Sequence, residues 1–193
     1  MGDRPLIGLI RDAAIAGVDL IQIRERDMEG GALADLTRAV VEAARGTRAK
    51  VLVNDRLDVA LAAGAAGVHL RGDSFEASRA RSLAPPGFLV GRSVHDAGEA
   101  AAVEAAGGCD YLFMGTVFPS ASKPAGHQAS GLRALSDVCA RVRIPVVAVG
   151  GISVDRVARV KAAGAAGVAA IGLFVAAPDL AATVQALRRS FDS

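Results

Sequence analysis

Residues 144–174 read IPVVAVGGISVDRVARVKAAGAAGVAAIGLF. The stretch falls into three pieces. Residues 144–149 are an apolar, β-branched run that ends in Gly150-Gly151. Residues 152–164 place Val154, Val157, Ala158 and Val160 at helical spacing and stop at Gly164. Residues 165–172 form a second apolar run that ends in Gly172. The order is strand, tight turn, helix, strand. Strands apolar on both faces belong to parallel sheets covered by helices. A Gly-Gly turn at the carboxyl end of such a strand lets backbone N–H groups approach a ligand closely. Glycine turns after the last two strands of a (β/α)8 barrel are a common place to hold phosphate. Gly150, Gly151 and Gly172 are therefore the candidate phosphate-binding residues.

The same grammar recurs along the chain. AAGAAGV occurs at residues 62–68 and again at 162–168, each time where a helix ends and a strand begins. The glycine closes the helix in a left-handed conformation. Strands are expected near residues 19–24, 50–54, 66–70, 88–92, 110–114, 144–149 and 166–171. Helices are expected near 4–16, 29–45, 57–63, 75–83, 96–106, 131–142, 153–163 and 178–190. A (β/α)8 barrel opens with a strand, whereas this chain starts inside what should be the first helix. The expected fold is a single α/β domain over residues 1–193, a TIM (β/α)8 barrel with its first strand lacking or truncated. A doubly wound open sheet is the competing architecture.

Composition narrows the function classes. The chain has 193 residues and a formal net charge of +2, which suits one domain with a sizeable core. No apolar run approaches the roughly 20 residues of a membrane span. The N-terminal stretch lacks the pattern of a signal peptide. Cys109 and Cys139 are few and scattered, which fits a reducing cytoplasm. With no Trp, one Tyr and no basic tract, neither nucleic acid nor membrane is an expected partner. Barrels of this size often pair, which leaves a homodimer open.

Polar residues at the carboxyl ends of the strands are the candidates for chemistry. Gln22, Arg24 and Arg26 alternate, so one face carries all three. They would grip a phosphate, diphosphate or carboxylate through bidentate guanidinium forks; the alternative is a rim ion pair with Glu25 or Asp27. Asn54-Asp55 ends the next strand. Asp55 would ligate Mg²⁺, act as a general base or cap the following helix. His69 is either a satisfied core histidine or a ligand-facing one. Ser93 is a candidate donor to substrate, and His95 either touches ligand or begins a helix. Residues 115–131, GTVFPSASKPAGHQASG, make an unusually long loop after a strand. Ser120, Ser122 and Lys123 on it would form a cationic flap over an anion.

Together these stretches resemble a known family. QIRERD, VNDRLDVALAAGAAGVHL, VGRSVH, DYLFMGTVFPSASK and IPVVAVGGI are similar to the thiamine-phosphate synthase / TenI superfamily, over about residues 3–174. The resemblance implies a (β/α)8 barrel acting on thiazole phosphates in thiamine biosynthesis. Its members usually open with a short strand ending in a Thr-Asp-Arg-like turn, of which Asp3-Arg4 are present here. The phosphorylated thiazole would be the small-molecule partner.

The superfamily has two branches. In the synthase, an aminopyrimidine diphosphate is joined to thiazole phosphate and pyrophosphate leaves, with Mg²⁺. The resemblance would give Gln22, Arg24, Arg26, Asn54 and Lys123 to the diphosphate substrate, and Asp55 to the metal. Two positions depart from that pattern. Residue 26 is Arg where Lys is typical, and the second metal Asp falls on Ser74, with Asp73 one residue early. The TenI branch is a thiazole tautomerase that transfers protons without a metal or other cofactor. IRER, Ser74-Phe75 and GRSVH are closer to it. Its usual acid/base His falls on Thr116, a poor substitute that would remain in contact with substrate. His127 or His69 would then carry the proton, with Lys123 beside them. The leading expectation from sequence is the tautomerase, with the synthase as the alternative. A non-catalytic thiazole-phosphate binder comes third.

Overall fold

The computed structural model describes residues 6–120, 124, 126 and 128–192. Seven strands alternate with helices. The strands are β1 (Leu20–Ile23), β2 (Lys50–Asn54), β3 (Gly67–Leu70), β4 (Leu89–Val94), β5 (Tyr111–Gly115), β6 (Val146–Val149) and β7 (Gly167–Ala169). The helices are α1 (Leu6–Ala16), α2 (Gly30–Ala43), α3 (Leu57–Ala62), α4 (Ala77–Leu83), α5 (Ala97–Ala106), α6 (Gly131–Arg141), α7 (Val154–Ala162), α8 (Gly172–Val175) and α9 (Leu180–Asp192). All six strand pairings are parallel, and the sheet order is β1 through β7 in sequence. A doubly wound sheet reverses its strand order at a switch point. This sheet never does, so the fold is TIM-like, with seven of a barrel's eight strands among the described residues. No helix among the described residues is long and apolar enough to cross a membrane.

The turns close as their glycines require. Gly64 (φ 71°) and Gly164 (φ 95°), one in each AAGAAGV repeat, end α3 and α7 in the left-handed region. At the start of α5, the Asp96 carboxylate accepts from Glu99 N–H at 2.8 Å, and Glu99 Oε2 accepts from His95 N–H at 2.7 Å. This reciprocal pair fixes the turn after β4. His95 therefore serves the helix start.

The expected β7 was too long. It ends at Ala169, and Gly172 opens the short α8 rather than ending a strand. β7 has only one strand neighbour, so after three residues its chain is free to curl. The amides of Phe174 and Val175 then turn back to the Ile171 carbonyl at 3.0 Å each.

One face of the sheet packs on helices. Val51, Val53, Val68, Leu70 and Val90 meet Leu33, Val40, Ala60 and Ala80 from α2, α3 and α4. Leu112, Met114, Val146 and Ala148 meet Leu135, Val138, Val157 and Val160 from α6 and α7. The other face is concave and carries the polar residues. Asn54, His69, Gly91 and Tyr111 stand side by side on β2–β5. The next row toward the carboxyl ends holds Ser93, Phe113, Val147 and Gly167. A side chain at Gly91 would collide with the Tyr111 ring, and one at Gly67 would lie 2.6 Å from Leu52 Cδ2. The glycines make room for large neighbours on the inner face.

Candidate active site

Gln22 and Asn54 are joined between the neighbouring strands β1 and β2, with Gln22 Nε2 donating to Asn54 Oδ1 at 3.1 Å. This leaves Gln22 Oε1 as an acceptor and the Asn54 amide as a donor. Arg24 continues the same face beyond the end of β1. Burial, then repulsion by Arg26 and by Arg71, holds its guanidinium below its ordinary range. Three guanidiniums thus crowd one corner. The alternative, a rim ion pair with Glu25 or Asp27, is not formed among the described residues. Such a corner is a ready site for a multiply charged anion.

Asp55 sits beside this corner. Its φ is 64°, the one non-glycine residue in the left-handed region among those described. The backbone is pinned there by Asp55 N–H donating to the His69 carbonyl at 2.9 Å. Asp55 does not cap the helix that follows; that position is Arg56, with no side-chain cap bond. Instead its carboxylate accepts a hydrogen bond from the Ser74 hydroxyl and lies 3.7 Å from Arg71 Nε. Ser74 Oγ also accepts from Arg71 N–H at 2.9 Å. Asp73 faces away, in a bidentate pair with Arg71 at 2.8 and 2.7 Å. That bond holds the Asp73 carboxyl well below the usual range.

The donor set decides what metal would fit. No group of three or more His, Cys, Asp or Glu residues is placed to hold an ion among the described residues. One carboxylate facing one hydroxyl cannot encage a metal alone. It does suit Mg²⁺, which keeps several waters and takes remaining ligands from substrate phosphates. Asp55 and Ser74 could therefore supply two of the ligands to a Mg²⁺ that kept its remaining ligands from water or a bound anion.

The loop that carries Ser74 is held from behind by Arg92. This side chain is on the helix-facing side of β4 and only 6% exposed. It donates to the carbonyls of Phe75 (2.8 Å), Gly72 (2.8 Å) and Ser74 (3.1 Å). Sequence reading singled out neither Arg92 nor Arg71 nor Tyr111 as site residues. The alternation of β4 and β5 around Gly91 is the signal that points to Tyr111.

His69 is 2% exposed. Its Nδ1 is 3.0 Å from the Tyr111 hydroxyl and its Nε2 is 2.9 Å from Ser93 Oγ. Phe113 stacks on the ring at 4.2 Å. Burial first, then the nearby Arg24, lowers its pKa to about 4. The ring is neutral near pH 7, with both nitrogens engaged.

On the opposite side, Gly150 (φ 97°) and Gly151 (φ 61°) turn the chain after β6. Both require glycine for space as well as conformation. A Cβ on Gly150 would lie 2.9 Å from Thr116 Cα, and one on Gly151 would meet Phe118 Cβ at 2.7 Å. Thr116 is buried against this turn. Gly172 has no such neighbour, since a Cβ there would meet nothing within 4 Å. Ser120 is half-buried beyond Thr116. Ser122, Lys123 and His127 lie outside the described residues, as do Asp3 and Arg4.

Comparison with known proteins fits this geometry. A family model described as thiamine monophosphate synthase matches residues 1–174. The thiamine-phosphate synthase of Methanoculleus marisnigri is 44% identical over 181 residues, 93% of this chain and 85% of that protein. That of Moorella thermoacetica is 40% identical over 187 residues, 97% of this chain and 89% of its own length. The solved thiamine phosphate pyrophosphorylase of Pyrococcus furiosus superposes with a TM-score of 0.85 at 32% identity, covering 98% of this chain and 90% of that one. A 3-hexulose-6-phosphate synthase superposes at 0.72 with 22% identity, which is a likeness of fold. These names favour the synthase alternative over the tautomerase expected first. With the match spanning nearly the whole barrel, and Gln22, Asn54, Asp55 and the glycine turn gathered at its mouth, this chain is an enzyme of the thiamine monophosphate synthase family.

Proposed function

We propose that this enzyme is a thiamine-phosphate synthase: it joins an aminopyrimidine diphosphate to thiazole phosphate and releases pyrophosphate. The observation that carries the reading is Asp55, held in a left-handed backbone beside Arg71, one of three mutually repelling guanidiniums, in a chain 44% identical to a protein of that name. In this reaction the bond from carbon to the diphosphate breaks as the bond to the thiazole forms. Negative charge gathers on the departing group. Arg24, Arg26 and Arg71 converge where that charge would develop. Mg²⁺, when held by Asp55 and Ser74, supplies further neutralisation of the leaving diphosphate. Gln22 Oε1 and the Asn54 amide offer one acceptor and one donor, which complements an aminopyrimidine's amine and ring nitrogen. Gly150 and Gly151 offer backbone donors to the thiazole phosphate, and Ser120, Ser122 and Lys123 are the further candidates for binding the anions. Thr116 positions the glycine turn.

The tautomerase reading retains two observations, Ser74 and Arg26 in place of the synthase's Asp and Lys. Its proton carriers would be His69 and His127. A single assay separates the readings. Pyrophosphate release is followed from aminopyrimidine diphosphate plus thiazole phosphate, with and without Mg²⁺. Mg²⁺-dependent release is expected. No release, with carboxythiazole phosphate aromatised instead, would establish the tautomerase.

A further inference from the structure

The inner face holds one chain of hydrogen bonds whose direction the surroundings fix. It runs from Tyr111 through His69 to Ser93. The Tyr111 hydroxyl is buried, and burial raises its ionisation far above neutrality. The phenol therefore keeps its hydrogen. Its hydrogen-bond partner among the described residues is His69 Nδ1, and none of the buried side-chain polar atoms among those residues lacks a partner. A buried O–H left without an acceptor is costly, so this one donates to Nδ1. Nδ1 then carries no hydrogen. The neutral ring bears its hydrogen on Nε2, which donates to Ser93 Oγ 2.9 Å away. With a donor already on that side, the serine's own hydrogen points elsewhere. Ser93 is half-buried at the carboxyl end of β4, where the barrel opens.

We infer that Tyr111 is a positioning residue: it sets His69 as the Nε2–H tautomer, and His69 thereby presents the Ser93 hydroxyl as a hydrogen-bond donor to an acceptor atom of the substrate. The opposite tautomer would orphan the phenol hydrogen and make Ser93 donate to Nε2. Only lone pairs would then face the ligand. The tautomer thus decides whether this position selects an acceptor or a donor. A doubly protonated ring would take that acceptor from the phenol hydrogen, and near pH 7 the buried ring is neutral. The inference rests on the synthase reading for the ligand, where the acceptor is a pyrimidine ring nitrogen or a diphosphate oxygen. The tautomer itself does not depend on that reading.

The test begins with the free protein. Two-bond ¹H–¹⁵N spectra of histidine-labelled protein at pH 7, with His69 assigned through His69→Gln, report which nitrogen is protonated. The Nε2–H form is expected. Tyr111→Phe keeps the ring over Gly91 and removes the hydroxyl. It should abolish the single tautomer and raise KM for the aminopyrimidine diphosphate about tenfold, with kcat changed by less than about threefold. Ser93→Ala should raise KM similarly without changing which His69 nitrogen is protonated, and the double variant should be no worse than either alone. Weaker inhibition of Ser93→Ala by inorganic pyrophosphate assigns the acceptor to the diphosphate; unchanged inhibition assigns it to the pyrimidine. An Nδ1–H ring in the free protein, or a Tyr111→Phe variant with unchanged tautomer and KM, overturns the inference. Should Tyr111→Phe fail to fold, the spectrum of the unaltered protein decides alone. An enzyme that releases no pyrophosphate but shows the Nε2–H ring removes the synthase reading and leaves the tautomer assignment standing.

Discussion

Asp55 is constrained by its backbone before its carboxylate is considered. A φ of 64° suits Asn and Asp better than other side chains, and here one hydrogen bond to the His69 carbonyl fixes it. Asp55→Asn should therefore fold with a melting temperature close to the parent's. On the proposed synthase reading it should lose Mg²⁺-dependent pyrophosphate release by about 100-fold, because the charge proposed to hold the metal is gone. His69 makes a different prediction, read in stability. Its pKa is about 4 when folded and about 6.5 when exposed. Between those values the unfolded chain binds a proton that the native ring does not. Stability should thus be full above about pH 6.5 and fall by up to roughly 3 kcal/mol as pH drops toward 4. Urea denaturation of the parent and of His69→Gln across pH 4–7 measures this, and the variant should lack that part of the slope. The positions of Gln22, Asn54, Asp55 and Ser93 at the carboxyl ends of their strands are legible from where the apolar runs stop. That both His69 nitrogens are engaged is not, because its partners come from strands 24 and 42 residues away.

Among the elements, the segment between β3 and α4 shows how a loop becomes part of a site. Ser74 reaches Asp55 because Arg92 gathers three carbonyls of residues 72–75 onto β4. Arg92→Met would leave those acceptors without their charged donor, at a cost of about 3 kcal/mol. The chemical midpoint in urea should fall accordingly, and more Mg²⁺ should be needed for half-maximal activity. Helix and strand positions could be read closely from glycine-closed apolar runs, because α7 and β6 carry their pattern locally. α8 could not be read that way. Its residues, GLFV, continue the apolar run of β7, and only the lack of a second neighbouring strand lets them coil. The departure of Asp73 from the site was foreseeable from alternation, whereas its pairing with Arg71 depended on the loop's shape.

Across the molecule, the sheet and the helical layer differ in extent. The sheet runs from β1 to β7 without pairing those two strands, yet α1 packs on both α2 and α9. Helices therefore continue past the sheet's edges. Arg188 of α9 secures that junction, donating to the Gly17 carbonyl at 2.9 Å and to Asp19 Oδ1 at 2.6 Å. Arg188→Ala should destabilise the protein by about 1–2 kcal/mol, seen as a lowered melting temperature with the pyrophosphate assay unchanged at 25 °C. This junction links residues 169 and 171 apart in sequence, too far for any local pattern to announce. The proposed synthase reaction is read in its products. The most direct test is mass spectrometry of the products formed from aminopyrimidine diphosphate and thiazole phosphate with Mg²⁺. Thiamine phosphate and pyrophosphate are expected in equal amounts. Both substrates recovered unchanged from folded enzyme that still binds them would contradict that reaction.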